Sequence, residues 1–412
     1  MVELKFRAER CLLVGVDFGK YDCEKSLEEL KMLCESAGGE VCGVTYQKRD
    51  LPDKATCIGV GKLYETAEFC DANEIDLVIF DLELSAVQLK NIERIINCPV
   101  IDRTMLILDI FAKRANTAEG KLQVELAQLK YRLPHLLGKG NSLSRLGGGI
   151  GTRGPGESKL ESDRRHIHRR IDALESQLKT IVKRRETQRK SRIENDVKTV
   201  ALVGYTNVGK STLLNKITGS DVLSKDMLFA TLDPTTRSYT LNNGQTVLIT
   251  DTVGFVSRLP HQLVSAFKST LEEAVYADLI LNVCDISSDD YENQLSVSNN
   301  LLLELGCDEN KIITVYNKCD KLVGKIGIDT NPKTIIVSAH SGYGIDKLID
   351  RIETELCSTV YLNLAVGYDK LDVLSKIRQK GNIVSQEYED KGVIVTAYVD
   401  KKDLYLVKDY II

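Results

Sequence analysis

The octapeptide Gly204-Tyr205-Thr206-Asn207-Val208-Gly209-Lys210-Ser211 constrains this 412-residue chain more than any other stretch. Its glycines let the backbone curl so that successive N–H groups point inward, while the lysine and the start of a following helix add positive potential. Such a loop cradles phosphates only in a strand–turn–helix setting. Lys198 to Val203 reads as a buried strand, and Thr212-Leu213-Leu214-Asn215-Lys216-Ile217 opens a helix. The loop therefore requires a parallel sheet with flanking helices and implies a nucleoside phosphate as ligand.

Three further elements follow in a fixed order. Asp251-Thr252-Val253-Gly254 closes the apolar run Thr246 to Thr250, which delivers Asp251 to a strand end beside the phosphate loop. There it suits a magnesium shell, reached through water, and the Gly254 N–H suits a γ-phosphate. Asn317-Lys318-Cys319-Asp320 closes the run Ile312 to Tyr316. A carboxylate there accepts two hydrogen bonds from guanine that adenine does not offer, so Asp320 carries base choice. Val337-Ser338-Ala339-His340 ends another strand, where a backbone N–H suits the guanine O6. Taken singly, each tetrapeptide is an ordinary strand-to-loop turn, but four in register read as a GTP site. Its expected contacts run from Gly204 through Ser211 to Thr212, over Phe229, Ala230, Thr231, Leu232 and Asp233, and on to Asp251 through Gly254. Asn317, Lys318, Asp320, Ser338, Ala339 and His340 complete them. Thr231 is the first choice for the threonine that joins Ser211 on magnesium and senses the γ-phosphate; Thr235 is the second. Lys210, Thr231 and Gly254 are the expected catalytic set.

Phe255 follows Gly254, where many regulatory GTPases carry a water-orienting glutamine. A phenyl ring cannot hydrogen-bond water, so unaided hydrolysis should be slow, with help from a partner or a metal ion. Asn207 resembles the asparagine by which some GTPases hold K+ against the phosphates; equally, it braces the loop.

A chain of this length suggests about three domains. With 55 basic and 59 acidic residues the net charge is −4, which argues against a uniformly basic nucleic-acid binder. Eleven cysteines, without a Cys-x-x-Cys pair, fit small buried residues in a reducing cytosol. No signal-like or membrane-spanning run occurs, so the expected location is cytoplasmic.

From residue 1 to 103, short apolar runs (Leu12–Val16, Val41–Val44, Leu77–Phe80, Pro99–Ile101) alternate with helical patterns, implying a small parallel α/β layer. Gly59-Val60-Gly61-Lys62 reads as a turn before a helix. Leu122, Leu126, Leu129 and Leu133, then Ile167, Ile171, Leu174, Leu178 and Ile181, form two stripes that suit an antiparallel helical hairpin. His166 and His168 read as surface residues. Between the stripes lies a glycine-rich basic loop, 138–156, without an acidic residue. Together with Lys159, Arg164 and Arg165, its Arg145 and Arg153 suit RNA backbone contact; the bland alternative is a solvated tip.

The segment Ser144 to Arg165 (SRLGGGIGTRGPGESKLESDRR), followed by the loops above with Phe229-Ala230-Thr231-Leu232-Asp233-Pro234-Thr235, resembles the HflX family of ribosome-associated GTPases up to about Cys357. The resemblance implies three parts, an N-terminal α/β plus helical-arm domain, a GTPase domain and a small C-terminal domain; the expected α/β fold divides into an N-terminal α/β part (1–103), a helical arm (104–196), a P-loop GTPase domain (197–357) and a small α+β C-terminal domain (358–412). The resemblance also implies Ser211 and Thr231 as magnesium ligands, binding to the large ribosomal subunit, and GTP-linked splitting or rescue of stalled ribosomes. A monomer is expected when the protein is free. A GTPase of ribosome assembly or RNA modification is the alternative.

Overall fold

The computed structural model describes residues 7–140, 155–194, 197–219, 228–229, 232–258, 271–322, 333–356, 359–370, 372–380, 382–389 and 392–412. These fall into two compact units. The first comprises 1–188 with 225–234 and 253–272, and the second comprises 189–224, 235–252 and 273–412.

In the first unit, β1 (Arg10–Asp17), β2 (Glu40–Lys48), β3 (Leu77–Phe80) and β4 (Val100–Asp102) form a parallel sheet in the order β2-β1-β3-β4. Parallel neighbours need crossover helices. These are α1 (Cys23–Ala37), α2 (Val60–Ala72) and α3 (Ala86–Ile96). Local chemistry fixes their ends. Asp22 caps α1 by accepting from the Lys25 N–H at 3.1 Å, and Gly38 stops it at φ 91°, a conformation that suits glycine. Ser85 and Gln88 form a capping box on α3. Gly59 precedes α2 in extended conformation, the turn that the sequence suggests. Leu27, Leu30 and Leu33 are buried on α1.

Next come α4 (Arg103–Arg114), α5 (Ala118–Gly140) and α6 (Pro155–Glu194). The two leucine/isoleucine stripes meet as expected: Leu126, Ile171 and Leu174 form the buried centre, flanked by Leu122, Leu129, Leu133, Ile167 and Leu178. Ion pairs lace the hairpin at Arg185–Glu119 (2.8 Å), Arg170–Glu125 (2.6 Å) and Lys130–Glu175 (2.7 Å). Glu119, near the start of α5, reaches the far part of α6, whereas Glu125 and Lys130 pair nearer its start, the mark of antiparallel packing. His166 and His168 are exposed.

The second unit is built on a six-stranded sheet in the order β10-β9-β8-β5-β7-β6. Its strands are β5 (Lys198–Gly204), β6 (Thr235–Thr240), β7 (Thr246–Asp251), β8 (Leu279–Asp285), β9 (Ile312–Asn317) and β10 (Thr334–Ile336). All pairings are parallel except β6 on β7. The helices α7 (Lys210–Thr218), α8 (Tyr291–Glu304) and α9 (Ile345–Leu356) flank it. The C-terminal part adds the antiparallel sheet β11-β13-β12, from β11 (Thr359–Gly367), β12 (Asn382–Glu389) and β13 (Gly392–Asp400), with α10 (Asp372–Lys380). Its core centres on Leu364, Val366, Val395 and Val407. Among the described residues no helix is long and apolar enough to cross a membrane.

Candidate guanine-nucleotide site

The phosphate loop turns out of β5 into α7 by two backbone positions open only to glycine. Gly204 has φ 141°, and a Cβ there would lie 2.1 Å from the Val283 carbonyl oxygen. Gly209 has φ 91°, and its Cβ would meet Asn317 Nδ2 at 2.5 Å. Parallel pairing of Leu202 with Asp251 brings the end of β7 beside this turn. There the Ser211 hydroxyl donates to Asp251 Oδ2 at 2.6 Å, and Asp251 is fully buried. A hydroxyl and a carboxylate so placed are hard oxygen donors, the set that suits Mg2+. The Lys210 ammonium lies within the loop and donates to the carbonyls of Gly204 (3.1 Å) and Tyr205 (2.7 Å). Burial pulls its pKa down to about 8, against a smaller opposing pull from Asp251.

Asn317, at the end of β9, ties the elements together. Its Nδ2 donates to the Val208 carbonyl at 2.8 Å, and its Oδ1 accepts from the Ala339 N–H at 2.9 Å. One amide thus straps the phosphate loop to the loop after β10. Lys318 reaches back to the Asn207 carbonyl at 2.7 Å. Asp320 accepts from the Ser338 hydroxyl at 2.5 Å, and that bond holds its carboxyl below the usual carboxylate range. Ser338 is fully buried and His340 exposed. Four sequence-distant elements therefore converge around one curl of backbone.

Known proteins resemble this chain in sequence over its whole length. Three family profiles match: "GTP-binding GTPase N-terminal" over 24–112, "GTP-binding GTPase Middle Region" over 114–192 and "50S ribosome-binding GTPase" over 199–318. The GTPase HflX of Caldanaerobacter subterraneus subsp. tengcongensis is 48% identical over 413 residues, covering 100% of this chain and 96% of that one. The chain belongs to the HflX family of GTPases. The HflX of Escherichia coli is 44% identical over 358 residues, 85% of this chain and 84% of its own length. A crystal structure of a GTP-binding protein from Sulfolobus solfataricus in complex with GDP has 26% identity and a TM-score of 0.46, covering 84% of this chain and 98% of that one. As an HflX family member the protein binds and hydrolyses GTP.

Thr231 and Ala230 fall outside the described residues, as do Arg145 and Arg153. Phe229 is buried and meets Phe111 edge-on at 4.6 Å between ring centroids. The Asp233 carboxylate accepts from the backbone N–H groups of Asn116 (2.8 Å) and Thr117 (2.9 Å) and from the Thr117 hydroxyl, at the start of α5. Its side chain is therefore committed to a helix start. Leu232, Val253 and Phe255 are buried, with Phe255 only 2% exposed. Arg164 and Arg165 are exposed on α6, Arg165 paired with Glu161 at 3.2 Å, whereas the Lys159 side chain lies outside the described set.

Sequence reading missed the carboxylates that brace the first unit. Arg103 is buried between Asp81 (2.8 Å) and Glu29, and Arg258 reaches Asp81 and Ser26 while its guanidinium lies 4.1 Å above the Tyr21 ring. It also missed Asp285 at the end of β8, paired with Lys318 at 2.7 Å. An aspartate ending an apolar strand was the available signal for the last.

Proposed function

We propose that the protein acts in its GTP-bound form on the large ribosomal subunit, splitting or rescuing stalled ribosomes. The ribosomal reading is supported by the match of 199–318 to a family described as 50S ribosome-binding GTPases, and by a 40-residue helix, α6, that exposes Arg164, Arg165 and Arg169. The observation that carries the nucleotide assignment is the double strap of Asn317, because it makes the phosphate loop and the base loops a single cradle.

In this reading Asp320 takes the two guanine donors, Ser338 holds its carboxylate ionised, and the main chain at Ala339 and His340 closes over the base. Gly204 through Thr212 wraps the phosphates, and Lys210 exchanges the loop carbonyls for phosphate oxygens. Ser211 and Thr231 hold magnesium, with Asp251 acting through water; the ion, when bound, neutralises charge on the phosphates. Thr231 and Gly254 sense the γ-phosphate. Asn207 is exposed, and its side chain is available to a K+ ion. Phe255 leaves the attacking water without a side-chain partner, so the ribosome supplies the missing alignment.

Multiple-turnover GTPase assays, with and without purified large subunits, test the reading. Turnover is expected to be slow alone and to rise by about a hundredfold or more with subunits, on the scale of assisted GTPases. Co-sedimentation should favour GTP or a non-hydrolysable analogue over GDP. A GTPase indifferent to ribosomes, with nucleotide-independent sedimentation, would remove the ribosome from the proposal.

A further inference from the structure

Asp285 ends β8 in register with Asn317, outside all four nucleotide-loop motifs. Its Oδ2 lies 2.7 Å from the Lys318 ammonium, which also donates to the Asn207 carbonyl at 2.7 Å. The side chains of Lys318 and Asp285 are only 20% and 16% exposed, so water screens the pair weakly. The carboxylate is itself held: Oδ1 accepts the Ser287 N–H at 3.0 Å and the Ser287 hydroxyl at 2.6 Å. One residue on, the Ile286 N–H donates to the Asn317 carbonyl at 3.1 Å. Lys318 has φ 63°, a left-handed conformation that a lysine keeps only where its surroundings over-determine it.

We propose that Asp285 is a positioning residue for guanine-nucleotide binding: it fixes the Lys318 ammonium against the phosphate loop, so that the base-reading and phosphate-holding loops stand in their binding arrangement before nucleotide arrives. This rests on the reading that Asn317 to Asp320 holds the guanine. A carboxylate near phosphates would repel them if unpaired. Paired with Lys318, it adds little net field, and its contribution is geometric. Without it the lysine keeps one neutral acceptor and gains rotamers that nucleotide must then freeze out.

The test is a double-mutant cycle read by titration with fluorescent mant-GDP and mant-GTP, with GTP turnover at saturation measured alongside. Asp285→Asn should raise the dissociation constants of both nucleotides by about tenfold, the scale of one charge-assisted bond, and leave kcat unchanged. In a Lys318→Met background, which keeps the stem and removes the charge, Asp285→Asn should add no further loss. A merely structural role would instead give additive losses in both backgrounds. Asp285→Ser, a smaller residue, probes the same coupling independently should the asparagine variant fold poorly. Unchanged affinity in the Asp285 variants, or equal losses with and without the Lys318 charge, overturns the proposal. Failure of the underlying reading looks different: Asp320→Asn and Lys318→Met would then both leave guanine affinity intact.

Discussion

Lys210 is a cation enclosed by its own loop, and this makes nucleotide binding sensitive to pH. Its pKa of about 8 in the free protein lies below the ordinary lysine value of 10.5. The folded state therefore binds fewer protons than the unfolded chain between those values. The cost of holding the buried charge is fully present below pH 8, and stability gained from relieving it grows as pH rises towards 10.5. Phosphate oxygens favour the ammonium, so binding above pH 8 must draw in a proton, and GTP affinity should fall by up to about tenfold per pH unit there. Calorimetric titrations at pH 8.5 to 9 in buffers of different ionisation heat measure that uptake directly; identical apparent enthalpies would show that the lysine is already charged. Base choice is equally local. Asp320→Asn should weaken GTP by about a hundredfold or more and improve xanthosine triphosphate, whose C2 carbonyl accepts from the new amide. Unchanged GTP affinity would take Asp320 out of the base site. Most residues at this scale were legible because phosphate and guanine chemistry demand fixed residue types at fixed spacings. Phe229 and Asp233 belong to a readable loop, yet their partners Phe111 and Thr117 lie over a hundred positions away, and no local pattern announces them.

Among the elements, the first unit depends on charges placed where a sequence reader expects apolar residues. Arg103 opens α4, Glu29 lies on the buried side of α1, and Asp81 follows β3; all three are buried. Arg103→Met would take the buried cation from Glu29 and leave Asp81 with Arg258 alone, so it should cost about 3–5 kcal/mol. Urea unfolding of the full chain measures this, and a loss below about 1 kcal/mol would mean that the carboxylates take up protons or water instead. Removing Arg103 together with Glu29, by apolar residues of similar size, should restore much of the loss, because Asp81 keeps Arg258. The helices themselves could be read because burial imposes a period: Leu27, Leu30 and Leu33 on α1, and the paired stripes of α5 and α6. The antiparallel edge strand β6 was not legible. Its Thr-Thr-Arg-Ser-Tyr-Thr sequence is polar and half-exposed, and only its ladder with β7 makes it a strand.

For the whole molecule, a net charge of −4 conceals a local excess of the opposite sign on the arm. Charge reversal at Arg145, Arg153 and Arg164 should leave the GTP affinity of the free protein unchanged, because none belongs to the nucleotide loops. Affinity for large ribosomal subunits should fall, and the slope of its salt dependence should shrink by about one for each phosphate that the arm no longer neutralises. Co-pelleting across a salt series checks both; undiminished pelleting would return the arm tip to ordinary solvated surface. The dimensions of that arm carry a mechanical consequence. The 40 residues of α6 span about 60 Å at 1.5 Å per residue, and three ion pairs stiffen it against α5 as cross-ties stiffen a doubled beam. By that length, a tilt of about 5° at its Glu194 end sweeps the Pro155 end through about 5 Å. An angle set at one end of so long a beam is therefore read out at the other as a displacement in proportion to its length.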